Sequence, residues 1–200
     1  MSIVIVGLGN PGRRYASNRH NVGFRIVERF ARRHGIELST RRFGGRFGHG
    51  CITGRDGEEI DVGALLPETF MNRSGEAVEL ALRDLAVGDP SEDVVVVTDD
   101  VDLPFGRLRI RPSGSSAGHR GLEDVIRCLG SGGFPRLRFG VDRPGDAMET
   151  ADYVLQDFSA QEERELDAHI DTAVEALDAL LVEGVIPAMN RFNRRDSAEP

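Results

Sequence analysis

Short apolar runs alternate along the chain with stretches in which apolar residues recur every three or four positions. The first pattern predicts buried strands and the second predicts amphipathic helices. The clearest strands are Ile3–Val6 and Val94–Val97, and the clearest helix begins at Val22 and ends before Gly35. Further strands are predicted over 50–53, 60–66, 108–111 and 137–141, and further helices over 74–87, 122–129, 160–181 and 187–194.

The order of these elements predicts the fold class. Strands that alternate with helices indicate an α/β protein, here a single three-layer α/β/α domain with a mixed, mostly parallel twisted sheet. The strands at 50–53 and 60–66 are predicted to form a hairpin, and 108–111 alternates like an edge strand. Ser159 and Glu162 have the spacing of a capping box at the start of the longest helix. We expect one domain over 1–195 and a disordered tail over 196–200.

The chain has no pattern typical of membrane insertion or export. No apolar run reaches the ~18–20 residues that a spanning helix needs. The N-terminus has neither a charged region before Ile3 nor a cleavage site. Cys51 and Cys128 form no close-spaced motif, and in a chain without a secretion signal we expect them to be reduced and structural. We therefore expect a cytoplasmic protein with no membrane partner.

Charge is distributed in blocks along the chain, and this affects which partners the sequence allows. All 25 basic side chains are Arg, against 33 Asp plus Glu, and the net charge is −8. Residues 1–55 carry +9 and 103–143 carry +5, whereas 56–102 carry −12 and 144–190 carry −11. The total argues against a nucleic-acid partner. The blocks still allow an arginine face that binds RNA or a phosphorylated substrate.

The segment Gly7–Gly12 follows the first strand and matches the spacing G-x-G-x-x-G of dinucleotide-binding proteins. The match is incomplete, because Pro11 and a polar stretch stand where a helix should begin and no acidic residue follows at the expected distance. A nucleotide-dependent oxidoreductase is the alternative that this segment leaves open. The turn itself is predicted to bring Asn10 to the carboxyl edge of the sheet, where open α/β folds bind ligands.

His20 precedes the first helix, and Asp99 ends the Val94–Val97 strand at the same predicted edge. Such a histidine is either a surface residue or a general base, since imidazole titrates near neutral pH. A carboxylate that holds one ring nitrogen fixes the tautomer. We predict that His20 is the base and Asp99 its partner. Because no serine stands in a G-x-S-x-G elbow, water is the predicted nucleophile.

Two nearby features have alternative interpretations. The acidic stretch 99–102, with His20 or His119, has the donor types of a divalent-cation site, but no close pair of His or Cys supports one. We predict no metal. Asn72 is either the N-cap of the 74–87 helix or an amide that orients a carbonyl or a water. Phe70 beside it is interpreted as a core residue.

A possible anion site follows the glycine-containing loop 112–118, which is flexible by composition. His119 and Arg120 open the next helix, and a helix N-terminus with an arginine can receive an anion. Arg111 and Arg138 lie on flanking strands and could converge on a phosphate, which guanidinium groups bind well.

These segments together resemble the bacterial peptidyl-tRNA hydrolase family. The similar segments keep their order from about residue 3 to about residue 193, and Tyr15 stands between the first two. They are residues 5–12, 19–23, 69–75, 99–106, 117–122, 136–141 and 143–145. The resemblance implies a monomeric esterase without metal or cofactor, which cleaves the ester between a peptide and the 3′ ribose of tRNA.

The resemblance also implies roles for individual residues. The catalytic histidine of the family falls on His20 and its aspartate partner on Asp99. Its active-site asparagines fall on Asn10 and Asn72, which we expect to stabilise the oxyanion and to read the first peptide amide.

Further roles concern tRNA. The family's tRNA-side histidine falls on His119, and its basic pair for the tRNA 5′-phosphate falls on Arg111 and Arg138. Where the family usually has Asn, this chain has Arg120, a donor-only cation that we expect to contact a phosphate near the acceptor end. Phe70 and Tyr15 are further expected substrate contacts. A non-catalytic RNA-binding relative with the same fold remains the alternative.

Overall fold

The computed structural model describes residues 3–145 and 148–193. Across these residues one sheet has the strand order β2-β3-β4-β1-β5-β7-β6. The strands are β1 (Ile3–Gly7), β2 (Thr40–Arg42), β3 (Gly45–Thr53), β4 (Glu59–Pro67), β5 (Val94–Asp100), β6 (Leu108–Arg111) and β7 (Arg136–Gly140). The helices are α1 (Val22–Arg33), α2 (Ser74–Asp84), α3 (Pro90–Asp93), α4 (Arg120–Leu129), α5 (Thr150–Val154), α6 (Ala160–Glu183) and α7 (Val185–Phe192).

The sheet is parallel in its centre and antiparallel towards its edges. Strands β4, β1, β5 and β7 run parallel to one another, whereas β3 and β6 run antiparallel to their neighbours. Strands β3 and β4 form the predicted hairpin, and β6 is an edge strand as predicted. The mixed three-layer α/β/α class is confirmed.

Alternation along the central strands separates two apolar layers. Ile5 and Val95 pack on the side of α1 and α6, while Val4 and Val94 pack on the side of α2 and α4. Both faces of these strands are buried, which explains their unbroken β-branched runs. Helix α6 begins with the predicted capping box at Ser159.

Several element boundaries differ from the predictions. Helix α2 ends at Asp84, three residues early, and α7 covers Val185–Phe192. The short elements β2, α3 and α5 have no periodicity that could have predicted them. The proposed boundary at 195 and the tail 196–200 lie outside the described residues. Among the residues that the structure describes, no helix is both long and apolar enough to span a membrane.

Helices α1 and α6 face each other through a row of ion pairs, which we call the α1–α6 seam. Arg25 binds Glu163 at 2.8 Å, and Arg29 binds both Asp167 at 2.5 Å and Asp171 at 2.6 Å. The row ends where Arg33 and His34 share Asp178. Part of the +9 block at residues 1–55 is therefore neutralised by acids of the −11 block at 144–190.

This pairing limits which arginines of residues 1–55 can form a basic surface. Eight of the eleven arginines in residues 1–55 have a carboxylate oxygen within 4 Å, so the block as a whole is not a free basic surface. The exceptions among the described ion pairs are Arg13, Arg14 and Arg32. Arg13 and Arg14 follow the β1 turn at the carboxyl edge of the sheet.

Candidate active site

A cleft of about 920 Å³ lies at the carboxyl edge of the sheet. The turn after β1 supplies Asn10, the end of β5 supplies Asp99, and the start of α4 supplies His119. The short helix α5 closes one side with Val154 and Leu155. This is the edge at which open α/β sheets bind ligands, and the site residues predicted to lie there do so.

His20 reaches this edge because α1 packs very closely on the sheet. A Cβ on Gly23 would lie 2.6 Å from the carbonyl oxygens of both Leu8 and Val97. Only glycine allows the start of α1 to approach β1 and β5 so closely. His20 lies in the 3-10 turn Arg19–Asn21 immediately before that helix, so the close contact fixes its position over the end of β5.

His20 and Asp99 form the predicted pair. The His20 Nδ1 atom lies 2.8 Å from Asp99 Oδ1, and the two side chains are 11% and 3% exposed. Burial opposes ionisation of Asp99, but the charges and hydrogen bonds of His20 and His119 outweigh it and hold the pKa of that carboxyl well below its usual range. Asp99 is therefore an ionised acceptor. Because a carboxylate only accepts, His20 Nδ1 carries the proton and Nε2 keeps a free lone pair.

His119 is bound to the same carboxylate oxygen. Its Nε2 atom lies 3.0 Å from Asp99 Oδ1, and the two histidine rings lie 4.8 Å apart between centroids. Its Nδ1 atom accepts the Leu122 N–H at 3.1 Å and so caps α4. Both ring nitrogens therefore have partners within the protein.

These hydrogen bonds also bear on the metal interpretation. Donor atoms of His20, Asp99 and His119 all lie within 4.8 Å of one another, close enough to surround a cation. However, His20 Nδ1 and His119 Nε2 point protons at Asp99, and His119 Nδ1 holds the Leu122 N–H. A cation at this place would displace these bonds, so the arrangement favours proton transfer through His20.

Asn10 is held by a residue that the sequence did not suggest. The Asn10 N–H donates to Asn21 Oδ1 at 2.8 Å, and Asn21 Nδ2 donates to the Asn10 carbonyl at 3.0 Å. The side-chain oxygen of Asn10 accepts the Met71 N–H at 3.0 Å. The amide NH2 of Asn10 is therefore the group left to donate into the cleft. Asn21 follows His20 directly, so one turn positions both the His20 ring and the Asn10 amide.

The other predicted substrate contacts line the same cleft. Asn72 is exposed in the 3-10 turn Met71–Arg73 and is not the N-cap of α2, which is Arg73. Phe70 is 56% exposed, so its interpretation as a core residue is wrong. Tyr15 lines the opening and its hydroxyl is bound by Arg14.

Arg120 is the first residue of α4 and is exposed at the cleft. Among the described residues it forms no ion pair or hydrogen bond of its side chain, unlike the other two arginines of the cleft. Arg138 donates to Asp100 at 3.1 Å, and Arg143 donates to Asp102 at 2.6 Å. Arg120 is thus a cleft cation whose charge is available to a ligand.

The β6–β7 pair carries an arginine face, which we define as Arg109, Arg111, Arg136 and Arg138. Arg109 lies opposite Arg138 and Arg111 opposite Arg136, so all four leave the same side of the sheet. The diagonal pair Arg111 and Arg138, predicted to act together, has a backbone separation of about 7–8 Å in such a ladder. The side chains of Arg109 and Arg111 are exposed, and neither forms an ion pair with a described residue.

Arg136 and Arg138 also hold the loop that was predicted to be flexible. Arg136 is fully buried and donates to the carbonyls of Gly114 at 2.7 Å and Gly132 at 2.6 Å. Burial, with Arg138 nearby, lowers the pKa of Arg136 to about 10. Arg138 donates to the Ser115 carbonyl at 2.9 Å. The loop at 112–118 is therefore anchored to the arginine face by main-chain acceptors.

Comparison with known proteins decides the family. The family model described as peptidyl-tRNA hydrolase matches residues 4–200. The chain belongs to the peptidyl-tRNA hydrolase family. A peptidyl-tRNA hydrolase of Roseiflexus sp. (strain RS-1) is 47% identical over 95% of this chain and 85% of its own length. One of Synechococcus sp. (strain JA-3-3Ab) is 48% identical over 98% and 85%.

Solved structures of the family have the same fold. The crystal structure of peptidyl-tRNA hydrolase from Acinetobacter baumannii matches with a TM-score of 0.86 and 38% identity, covering 98% of this chain and 96% of that one. The segments that carried the resemblance to peptidyl-tRNA hydrolases meet at the one cleft described above. Gly7 and Gly9 have a packing reason, since a Cβ on Gly7 would lie 2.5 Å from the Gly23 carbonyl oxygen and one on Gly9 would lie 2.7 Å from the Phe24 ring. This favours close helix packing over pyrophosphate binding.

Proposed function

We propose that this chain hydrolyses the ester between a peptide and the 3′ ribose of tRNA, with His20 as general base. Membership of the peptidyl-tRNA hydrolase family supports the reaction. The observation that carries the mechanism is the 2.8 Å contact between His20 Nδ1 and Asp99 Oδ1 in a buried setting. It leaves His20 Nε2 as the free base of a cleft.

In the proposed mechanism, His20 Nε2 takes a proton from water while the oxygen of that water attacks the ester carbonyl. Asp99 stabilises the imidazolium that forms and holds the ring in one tautomer. The tetrahedral intermediate then collapses, the C–O bond to the ribose breaks, and the imidazolium returns the proton to the ribose oxygen. The products are a peptide with a free carboxylate and a tRNA with a free 3′ end.

Asn10 and Asn72 are proposed to bind the peptide side of the substrate. The Asn10 NH2 group is fixed by the bond from Met71 N–H to its carbonyl oxygen, so it is a preorganised donor for the developing oxyanion. Asn72 is exposed at the same cleft and can both donate to and accept from the first peptide amide. A site that needs this amide would discriminate against an ordinary aminoacyl ester. Tyr15 and Phe70 are proposed to cover the substrate at the opening.

The tRNA is proposed to lie along the arginine face. Arg111 and Arg138 would bind the 5′-phosphate, and Arg120 would contact a phosphate near the acceptor end. His119 lies beside this route but is directed at Asp99. Phosphate contacts carry no base code, so binding should depend weakly on tRNA sequence. We further propose that the protein acts as a monomer in the cytoplasm, without a metal or other cofactor.

The decisive experiment is hydrolysis of a purified peptidyl-tRNA by the wild-type chain and by His20→Ala. Loss of the base should lower kcat by roughly 10²–10⁴-fold, with circular dichroism as the control for folding. Near-normal turnover by His20→Ala would remove His20 from the mechanism. An inactive wild type that still binds tRNA would instead favour the non-catalytic RNA-binding alternative.

A further inference from the structure

One carboxylate oxygen in the site serves two histidines. Asp99 Oδ1 lies 2.8 Å from His20 Nδ1 and 3.0 Å from His119 Nε2, and the Asp99 side chain is 3% exposed. Both rings therefore donate to the same oxygen in a place from which water is largely excluded. Two donors on one acceptor divide its negative charge, so each bond is weaker than it would be alone.

The position of the proton on His119 follows from the start of α4. The Leu122 N–H donates to His119 Nδ1 at 3.1 Å, which requires a lone pair on that nitrogen. The remaining proton is then on Nε2, and it points at Asp99. The two ring nitrogens of His119 thus have separate partners, Nε2 with Asp99 and Nδ1 with the first turn of α4.

We propose that His119 is a positioning residue that sets how strongly Asp99 binds the proton-bearing form of His20. Its Nε2–H competes with His20 for one oxygen and so limits the stabilisation that Asp99 gives to the His20 imidazolium. This keeps His20 in its basic form at lower pH than an undivided carboxylate would. The proposal rests on the function of His20 given above, and it gives His119 a role separate from tRNA contact.

The two bonds of His119 can be removed one at a time. In His119→Asn the side-chain oxygen takes the position of Nδ1 and can still cap α4, since Asn is among the best N-cap residues. The donor to Asp99 is lost. In His119→Gln the amide NH2 reaches the position of Nε2 and can still donate to Asp99, whereas the cap on Leu122 is lost.

Other charges around the pair stay the same in both variants. The other titratable groups that line the cleft are the ion pairs Asp100–Arg138 and Asp102–Arg143 and the side chains of Tyr15, Arg120 and Glu149. None of them is bonded to His20 or Asp99 in the described structure. A difference between the variants therefore reports the shared oxygen.

The measurement is kcat/KM on peptidyl-tRNA from pH 5 to pH 8, together with thermal unfolding at pH 7. For His119→Asn we expect the acidic limb of the kcat/KM–pH profile to move up by about 0.5–1 pH unit. This means a several-fold loss of kcat/KM at pH 5.5 relative to pH 8, with little change in Tm. For His119→Gln we expect the limb within 0.2 unit of wild type and a Tm lower by roughly 2–4 °C.

The two results separate the possible failures. If His119→Asn keeps the wild-type acidic limb while its Tm is unchanged, the shared oxygen does not tune His20 and the inference is wrong. A limb that moves equally in both variants would show that the shift does not depend on the donor to Asp99, and this too would overturn the inference. An inactive wild-type chain would contradict the proposed function, which the same assay reports independently.

Discussion

The α1–α6 seam and the carboxyl-edge cleft contain the same types of ionisable side chain, namely arginine, histidine and carboxylate, but in different arrangements. In the seam each arginine has a carboxylate opposite, as in the Arg29 pairs with Asp167 and Asp171, and most of these groups are partly exposed. In the cleft Asp99 is buried and its partners are imidazoles that can exchange protons. The seam therefore neutralises charge, while the cleft keeps a reactive lone pair.

The arginine face extends the same contrast. Arg111 is exposed and unpaired among the described residues, whereas Arg29 has two acids within 2.6 Å. A phosphate approaching Arg111 displaces only water, but one approaching Arg29 must compete with two carboxylates. Arg138, the other arginine of the proposed phosphate site, has Asp100 at 3.1 Å, so Arg111 is the member of that pair without an acid beside it among the described residues.

The largest expected difference between seam and cleft concerns their carboxylates. Asp99→Asn keeps the shape of the site but lets the His20 tautomer change, so kcat should fall by roughly 10²–10⁴-fold. Asp167→Asn, the matched change in the seam, should leave kcat within twofold because its side chain is 72% exposed and only Arg29 depends on it. Single-turnover hydrolysis of peptidyl-tRNA measures both. Equal losses in the two variants would contradict the division of roles.

Acid unfolding gives a second readout for Asp99→Asn. The pKa of Asp99 is lowered in the folded state, mainly because the two histidines outweigh its burial. Its contribution to the free energy of unfolding is therefore complete above the unfolded value of about 3.9 and declines as the pH falls below it. Stability of Asp99→Asn should fall less steeply than that of the wild type between pH 5 and pH 2. A parallel decline would argue against an ionised Asp99 in the fold.

A smaller effect is expected on the arginine face. Arg111→Gln removes one of the proposed phosphate contacts, so tRNA affinity should drop about three- to tenfold at low salt and the slope of log K against log salt should decrease by about 0.7–0.9. Arg164→Gln on α6, another exposed arginine without a described partner, is the control and should change neither quantity. Binding titrations at several salt concentrations measure both. An unchanged slope for Arg111→Gln would mean that Arg111 does not contact a tRNA phosphate.

Much of the fold could be predicted because the central elements have strong periodic patterns. Val94–Val97 and the helix from Val22 were predicted close to their observed bounds. The first half of β3 was missed, because its glycines and polar residues form no apolar run. Gly45 is there for close packing, since a Cβ on it would lie 2.3 Å from the Leu66 carbonyl oxygen. Such a contact between strands leaves no local signal.

The sequence predicted the site residues that lie at the ends of neighbouring strands. It did not predict the contacts that depend on how a helix is oriented against the sheet. His20 and Asp99 were paired correctly because both lie at the carboxyl edge. The bond from His119 to Asp99 depends on how α4 begins against the sheet, which no spacing indicates. Arg136 has the same residue type and strand as Arg138, yet it is a buried loop anchor.

The seam has a signal in the sequences of its two helices. Arg25, Arg29 and Arg33 recur every four residues on α1, and Glu163, Asp167 and Asp171 do the same on α6. Residues four apart lie on one face of a helix, so two complementary faces were predictable. What the sequence could not show is that these two helices are neighbours.

The smallest expected effect tests the seam itself. Arg29→Ala removes two ion pairs whose groups are 29%, 72% and 46% exposed, so solvent screening should limit the loss of unfolding free energy to about 0.5–1 kcal/mol. Because these charges are already neutralised, kcat/KM for peptidyl-tRNA and its salt dependence should stay at wild-type values. Urea unfolding measures the change in unfolding free energy, and the hydrolysis assay measures kcat/KM and its salt dependence. Arg164→Ala is the control without an ion pair. A several-fold fall in kcat/KM without a change in stability would mean that tRNA reaches the seam and competes for its arginines.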